Sequence, residues 1–330
     1  MTRWLLPLSV APFAGLAVAQ ALGLDGWAPL IWASAATPWL YLPAWILLGW
    51  AIHARRPREA AVATFVVACH VIWIAPGLIT ETRPDAPPSA GAPLRVVTAN
   101  LLRSNDRPDV LWRELMDLDA DVLVLQEVSP GWLAWVEGRT ARGLYPHRDV
   151  LARGDAFGIA ILSRRPLLSA ELVDLEGVPM IDATVDADGA PVRIFGVHTL
   201  PPMDPGYAAV WRAQLRQLGD RAAGVEGPLL VMGDLNATTH AAAFRALERA
   251  GLRDAHDALG RGLATTWPNG LFPVPPLRLD HVLASADVVP VAVREGIGAG
   301  SDHRPVVVDV TIPRAPSRDD PAGGSAMTSR

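Results

Sequence analysis

Gly300-Ser301-Asp302-His303-Arg304-Pro305 runs directly into Val306-Val307-Val308-Asp309-Val310, and this stretch decides the fold. The β-branched run has the apolar density of a buried strand. The hexapeptide ahead of it sets a carboxylate beside an imidazole at the strand's mouth. Pro305 restricts the backbone where the strand begins. Ser301 and Arg304 add donors that could meet an anion. An Asp-His pair at a strand entrance is also a common, locally satisfied turn, so its meaning depends on what else the chain supplies.

Working outward, short apolar runs of strand composition recur at 95–100 (RVVTAN), 121–127 (DVLVLQE), 158–164 (GIAILSR), 192–198 (VRIFGVH), 228–236 (PLLVMGDLN) and 278–285 (RLDHVLAS). Each carries polar groups at or near an end. Residues 108–118 read as a helix opened by proline in its first turn. Residues 205–223, with Trp211, Leu215 and Leu218 on one stripe, and 241–250 are helical by composition. An Asp188-Gly189 turn joins 180–185 to 192–198 as a hairpin. Mixed α and β with hairpins predicts an α/β sandwich of two sheets flanked by helices, not a doubly wound parallel sheet.

If those strand ends converge, Asn100, Glu127, His198, Asp234, Asn236, Asp280, Asp302 and His303 make one site. It would contain carboxylates for a hard cation, amides for orientation and two imidazoles. That set suits metal-assisted cleavage of a phosphate ester or anhydride, where charge develops on phosphoryl oxygens. There is no HExxH, which argues against that class of zinc hydrolysis.

The motifs TAN, LQE, GIAILSR, GVH, GDLN, RLDH and GSDHRP stand in an order and spacing that resembles the endonuclease/exonuclease/phosphatase superfamily, with coverage from about residue 94 to 312. The resemblance implies a DNase I-like sandwich. It implies Glu127 as principal ligand of Mg2+, with Mn2+ as the alternative, Asn100 holding metal or phosphate, and Asp302 supporting the metal site. It implies His303 on the scissile phosphate, with Asp280 accepting its other ring proton, Asp234 orienting or deprotonating the attacking water, and Asn236 on a phosphate oxygen. His198 matches the histidine that deoxyribonucleases and sphingomyelinases use near the leaving group. Abasic-site endonucleases differ there, which speaks against that function.

Half of the 330 residues are hydrophobic and the mean hydropathy is +0.23, high for a soluble chain. Three long apolar runs, 4–24, 27–52 and 60–80, predict a three-span membrane anchor over 1–80. The first could instead be a signal peptide, with Ala17-Val18-Ala19 as a cleavage pattern, but two further runs favour an anchor. Arg55, Arg56 and Arg58 mark the second loop as cytoplasmic, so everything after residue 80 is expected outside the cell membrane. His70 in the third run is expected to be a neutral ring bonded to a neighbouring helix. Residues 81–93 read as a semi-stiff linker, 94–313 as the catalytic domain, and 314–330 as a disordered tail.

This layout also resembles membrane proteins of the VanJ type, associated with teicoplanin resistance. A domain tethered there meets lipid head groups and lipid-linked pyrophosphates at high effective concentration. The expected partners are a phosphorylated substrate, lipid-linked ones included, and the bilayer. No obligate protein partner is inferred. Nucleic acid ranks behind, because the net charge is -5 and no lysine occurs among the 29 basic residues. A surface nuclease, and a non-catalytic binding or resistance protein with this fold, are the alternatives. The proline-rich stretch 265–280, with Trp267, Leu271, Phe272, Val274 and Leu277, reads either as a loop packed on its own domain or as an apolar lip at the site. Cys69 is the sole cysteine, so no intrachain disulfide exists.

The arginine-loop argument predicts that reporter fusions after Leu94 are active only outside the cytoplasm and a fusion near Arg56 only inside. A cytoplasmic readout for the catalytic domain would reverse the orientation.

Overall fold

The computed structural model describes residues 5–80, 91–270 and 274–313. The expected tail 314–330, most of the expected linker, and Leu271 and Phe272 lie outside the described residues. Helices in chain order are α1 Leu5–Ala21, α2 Ala28–Ala35, α3 Thr37–Leu40, α4 Leu42–His53, α5 Pro57–Ile74, α6 Pro108–Asp117, α7 Pro130–Val136, α8 Arg139–Leu144, α9 Pro205–Ala223, α10 Arg245–Arg249 and α11 Ala255–Ala258. The strands are β1 Gly91–Asn100, β2 Val122–Gln126, β3 His147–Leu151, β4 Ile159–Ser163, β5 Leu167–Leu175, β6 Val178–Ala187, β7 Ala190–His198, β8 Leu229–Asp234, β9 Arg253–Asp254, β10 Asp280–Ala284, β11 Val289–Glu295 and β12 Val306–Pro313. The linker therefore ends before residue 91, because Gly91 to Pro93 already pair with β12.

Two six-stranded sheets, ordered β11-β12-β1-β2-β4-β3 and β5-β6-β7-β8-β10-β9, face each other. The expected sandwich is thus present. Alternation along the strands sends Val96, Val124, Ile159 and Ile161 from one sheet, and Ile181, Ile194, Leu230 and Met232 from the other, into one shared core. The outer face of the first sheet packs on Leu111, Trp112 and Leu115 of α6 and Trp132 of α7. The outer face of the second packs on the predicted α9 stripe of Trp211, Leu215 and Leu218. Each sheet holds a central parallel pair, β1 with β2 and β7 with β8. A parallel pair needs a long crossover, which α6 and α9 supply. The remaining described pairings are antiparallel, and the β6–β7 hairpin turns at Asp188 and Gly189, both at positive φ as a tight two-residue turn requires.

This topology brings one end of each sheet to the same place. β1 and β2 end at the same level, Asn100 opposite Gln126, and the antiparallel β12 starts there. β7 and β8 end with His198 opposite Asp234, and the antiparallel β10 starts with Asp280 opposite Asp234.

The N-terminal reading needs correction. Among the described residues one helix, spanning Pro57–Leu78 with its 3-10 extension, is long and apolar enough to cross a bilayer. The second expected span is broken into Ala28–Ala35 and Thr37–His53, bent by 75°. Pro38 and Pro43 sit in the first turns of α3 and α4, where a missing N–H is tolerated but the preceding helix cannot continue. The first run forms a helix of 17 residues with Pro12 inside. His70 accepts from Trp45 Nε1 of α4 at 3.1 Å, the interhelical bond expected of a neutral ring.

The chain approaches itself closely at the end of β8. Gly233 has φ +147, and a Cβ there would lie 1.9 Å from the Val197 carbonyl oxygen of the parallel neighbour. Gly233→Ala should cost up to ~3 kcal/mol, the upper part of the overpacking range, in chemical denaturation of the solubilised full chain. An unchanged midpoint would contradict the close approach.

Candidate active site

Asn100 closes β1 and is buried. Its Nδ2 donates to Glu127 Oε1 at 3.2 Å and to Asp234 Oδ2 at 3.1 Å, so one amide links the first sheet to the second. Glu127 follows β2 at φ 58, and its Oε2 accepts from Arg103 N at 2.9 Å. Asn236 lies two residues beyond β8 at φ 44. Its backbone N–H donates to Asp234 Oδ1 at 2.9 Å, and its Nδ2 donates to Thr199 O at 2.8 Å. Left-handed backbone at two non-glycine site residues costs of order 1 kcal/mol each, and it persists only where surrounding bonds fix it, as these do.

His303 is buried, and its Nδ1 lies 2.8 Å from Asp280 Oδ2. Its Nε2 points toward Asp234 Oδ2, 3.7 Å away. Burial opposes a charge on this ring, but the Asp280 and Asp234 carboxylates override it and push the His303 pKa up to about 10. The ring is therefore an imidazolium at neutral pH, with Nδ1–H donated to Asp280 and a second N–H available. His198 places Nε2 3.5 Å from Asp234 Oδ2, while its Nδ1 faces Ala156 O at 3.1 Å.

Seven of the eight expected residues are joined by these contacts. Asp302 differs, since its Oδ2 accepts from Trp267 Nε1 at 3.2 Å. The same bond corrects the apolar-lip reading of Trp267, whose backbone also pairs with Leu277. Of the two residues expected to offer donors to an anion, Ser301 is used internally, whereas Arg304 is exposed. Ser301 Oγ donates to Asn100 O at 2.7 Å and accepts from His303 N, and Arg304 Nε donates to Asn269 Oδ1.

Four carboxylates, Glu127, Asp234, Asp280 and Asp302, stand against one imidazolium here. Asp280 Oδ1 and Asp302 Oδ1 are buried without a protein partner. This excess of buried negative charge, on oxygen donors only, fits a hard divalent cation. Ligand atoms of Asp234, Asp280 and His303 all lie within 4.8 Å of one another. Within that trio His303 Nδ1 is also hydrogen-bonded to Asp280 Oδ2 at 2.8 Å. The carboxylate that could hold a cation is Glu127, with the Asn100 side-chain oxygen beside it, although that oxygen also accepts from Leu102 N at 3.0 Å.

Several supporting groups had no signal in the sequence. Thr266 Oγ1 accepts from the backbone N–H groups of Leu279 and Asp280, fixing the start of β10. His281, on the opposite strand face from Asp280, bonds Asp254 Oδ2 at 2.7 Å and Ala237 O at 2.8 Å. Burial would raise the Asp254 carboxyl, but Arg278, His256 and His281 hold it well below the usual carboxylate range. Alternation along RLDH could have separated His281 from Asp280; the partners of His281 could not have been named.

The sequence matches the Endonuclease/Exonuclease/phosphatase family over residues 97–303, more than half of the chain. No curated protein matches it. Among solved structures, humanized TDP2 of D. rerio is 20% identical with a TM-score of 0.57, covering 66% of this chain and 99% of that one. An endonuclease/exonuclease/phosphatase from Beutenbergia cavernae is 22% identical with a TM-score of 0.55, covering 68% of this chain and 73% of that one. The 3' phosphatase NExo from Neisseria, bound to product DNA hairpin, is 21% identical with a TM-score of 0.52, covering 65% and 98%. At these identities the likeness establishes the shared fold.

Because folding raises the His303 pKa above 6.5, the stability its charged pairing contributes is complete below about pH 6.5 and is lost as pH rises through about 10. Histidine NMR titration should find this ring protonated through neutral pH, and Asp280→Asn should lower its pKa markedly. An ordinary titration near 6.5 in the unsubstituted protein would overturn the charged assignment.

Proposed function

The chain belongs to the endonuclease/exonuclease/phosphatase family, and on that premise we propose that it is a membrane-held, metal-dependent hydrolase of phosphodiester or phosphoanhydride bonds, lipid-linked ones among its substrates. The observation that carries this reading is the buried ring of His303, paired through Nδ1 with Asp280 and facing Asp234 with Nε2. Such a group binds the anionic phosphoryl oxygens and stabilises the charge that grows on them. Asp280 keeps the ring oriented and charged. Asp234, reached by Asn100, Asn236 N–H and His198, is positioned to orient a water and take its proton. Asn236 has one amide hydrogen beyond its bond to Thr199 for a phosphate oxygen. His198 stands on the far side of Asp234 from β10, where it can serve the leaving group.

A bound Mg2+ or Mn2+ would supply charge neutralisation at the phosphate. Glu127 and Asn100 are the residues proposed to hold it, and Asp302 contributes negative charge to the same region. Membrane attachment is read from Pro57–Leu78, with the bent pair ending at His53 as its neighbour. The arginine loop between them is what supports reading the catalytic domain as extracytoplasmic.

The full-length protein with Mg2+ should be assayed side by side against plasmid DNA and an undecaprenyl pyrophosphate-type lipid. Turnover of the lipid supports the proposal, and cleavage of DNA alone, with steep salt dependence, replaces it with a surface nuclease. Glu127→Gln should lower the rate by orders of magnitude with partial recovery at high Mg2+, whereas full activity after EDTA treatment would refute metal dependence. Asp280→Asn and His303→Ala should each be severe, and the double variant little worse than either, since residues acting as a unit are non-additive. Multiplying losses would mean that the two act independently.

A further inference from the structure

The N-terminal helices are built onto the mouth of the active site. Trp32 Nε1 of α2 donates to Pro202 O at 3.0 Å, and Trp39 Nε1 of α3 donates to Pro276 O at 2.8 Å. Pro202 lies in the loop that leaves His198, whose Thr199 carbonyl holds the Asn236 amide. Pro276 lies in the loop that enters Asp280. One bent helix pair therefore grips both loops that carry site residues of the second sheet. Further contacts fix the seat. Ile31 is buried in the cluster of Trp211, Leu215 and Leu235, and Arg212 NH1 of α9 donates to Asp25 O at 2.7 Å.

The bend gives this seat a direction. α4 packs along α5, the helix able to cross a bilayer, and α2 lies at 75° to the α3–α4 arm. With α4 and α5 upright in the membrane, α2 lies close to the plane of its surface. Its exposed aromatics are of the type that settles at that depth, with Trp27 61% and Trp32 48% exposed. On the catalytic side of the same seam, Met203 and Tyr207 are exposed at 62% and 48%, next to Pro202 and at the start of α9. Exposed apolar side chains of both units, Trp32 and Met203, thus flank Pro202 in the loop that leaves His198.

We propose that the α2–α3 elbow is the substrate-selecting wall of the active site: it holds the mouth in the head-group layer and lays the tail of a phosphate-bearing amphiphile along Trp27, Trp32 and Met203. The inference rests on the hydrolase reading above and names the part of the chain that recognises the tail. Trp32 and Trp39 act here as positioning residues, through the loops at Pro202 and Pro276.

The test compares one headgroup chemistry with two tails, a long-chain prenyl pyrophosphate in phosphatidylcholine vesicles and a short, water-soluble prenyl pyrophosphate, using the full chain with Mg2+. In Trp27→Ala and Trp32→Ala the ratio of kcat/KM on the vesicle-borne over the soluble substrate should fall roughly tenfold or more, the effect of truncating a buried aromatic anchor, and the loss should lie in KM. Trp39→Phe and Trp32→Phe keep the ring and remove the bond, so they should lower the same ratio while preserving the fold. If the ratio is unmoved in all four variants, the elbow does not select the substrate, although the hydrolase reading stands. A second arm is independent of turnover. In a Cys69→Ser background, a nitroxide attached to Trp27→Cys in liposome-reconstituted protein should report head-group depth. Full accessibility to an aqueous nickel complex would place α2 in water and overturn the proposal even if no substrate is turned over.

Discussion

Hydrogen bonds cross from one sheet to the other at the site, and its geometry depends on them. His303, just before β12 of the first sheet, is bonded at 2.8 Å to Asp280, the first residue of β10 in the second. Asn100, the last residue of β1, is bonded at 3.1 Å to Asp234, the last residue of β8. Behind these bonds the core shared by the two sheets is apolar and non-directional, so it sets a spacing but does not by itself fix the polar ends. The polar ends pin the sheets at a defined position. The same bonds concentrate carboxylates where water is scarce, which is costly without compensation. One imidazolium supplies part of that compensation, and the remainder is the physical basis for a cation.

The site also stores backbone strain next to close packing. Glu127 and Asn236 adopt left-handed backbone that side-chain-bearing residues avoid, and Gly233 brings β8 against the Val197 carbonyl where no Cβ fits. These features turn the chain sharply at strand ends, so the Glu127 side chain meets Asn100 and Asn236 meets Thr199. A regular continuation of β2 or β8 would send the same side chains elsewhere.

A flexible linker alone would leave the N-terminal helices and the sandwich free to turn relative to each other. Here Gly262 N donates to Gly77 O at 2.6 Å, Thr80 bridges to Leu259, and two tryptophans hold the active-site loops. The helices and the sandwich consequently share their burial, with Ile31 counted in the core under α9.

The sequence by itself determined the sandwich and most of the residues that gather at the candidate site. Period-two burial, the Asp188-Gly189 turn and the proline-opened helices α6 and α9 are local signals, and local signals survive in one dimension. Polar residues at strand ends were legible for the same reason, and seven of the eight meet in space. Tertiary structure alone decided the rest. It gave Asp302 to Trp267, spent Ser301 on Asn100, and made His303 a cation through two carboxylates, Asp280 and Asp234, that lie 23 and 69 positions earlier in the chain. It also broke an apolar run into a bent pair bonded to the loops at Pro202 and Pro276, because hydropathy records how much apolar surface a segment carries but not whether lipid, helix or loop will cover it.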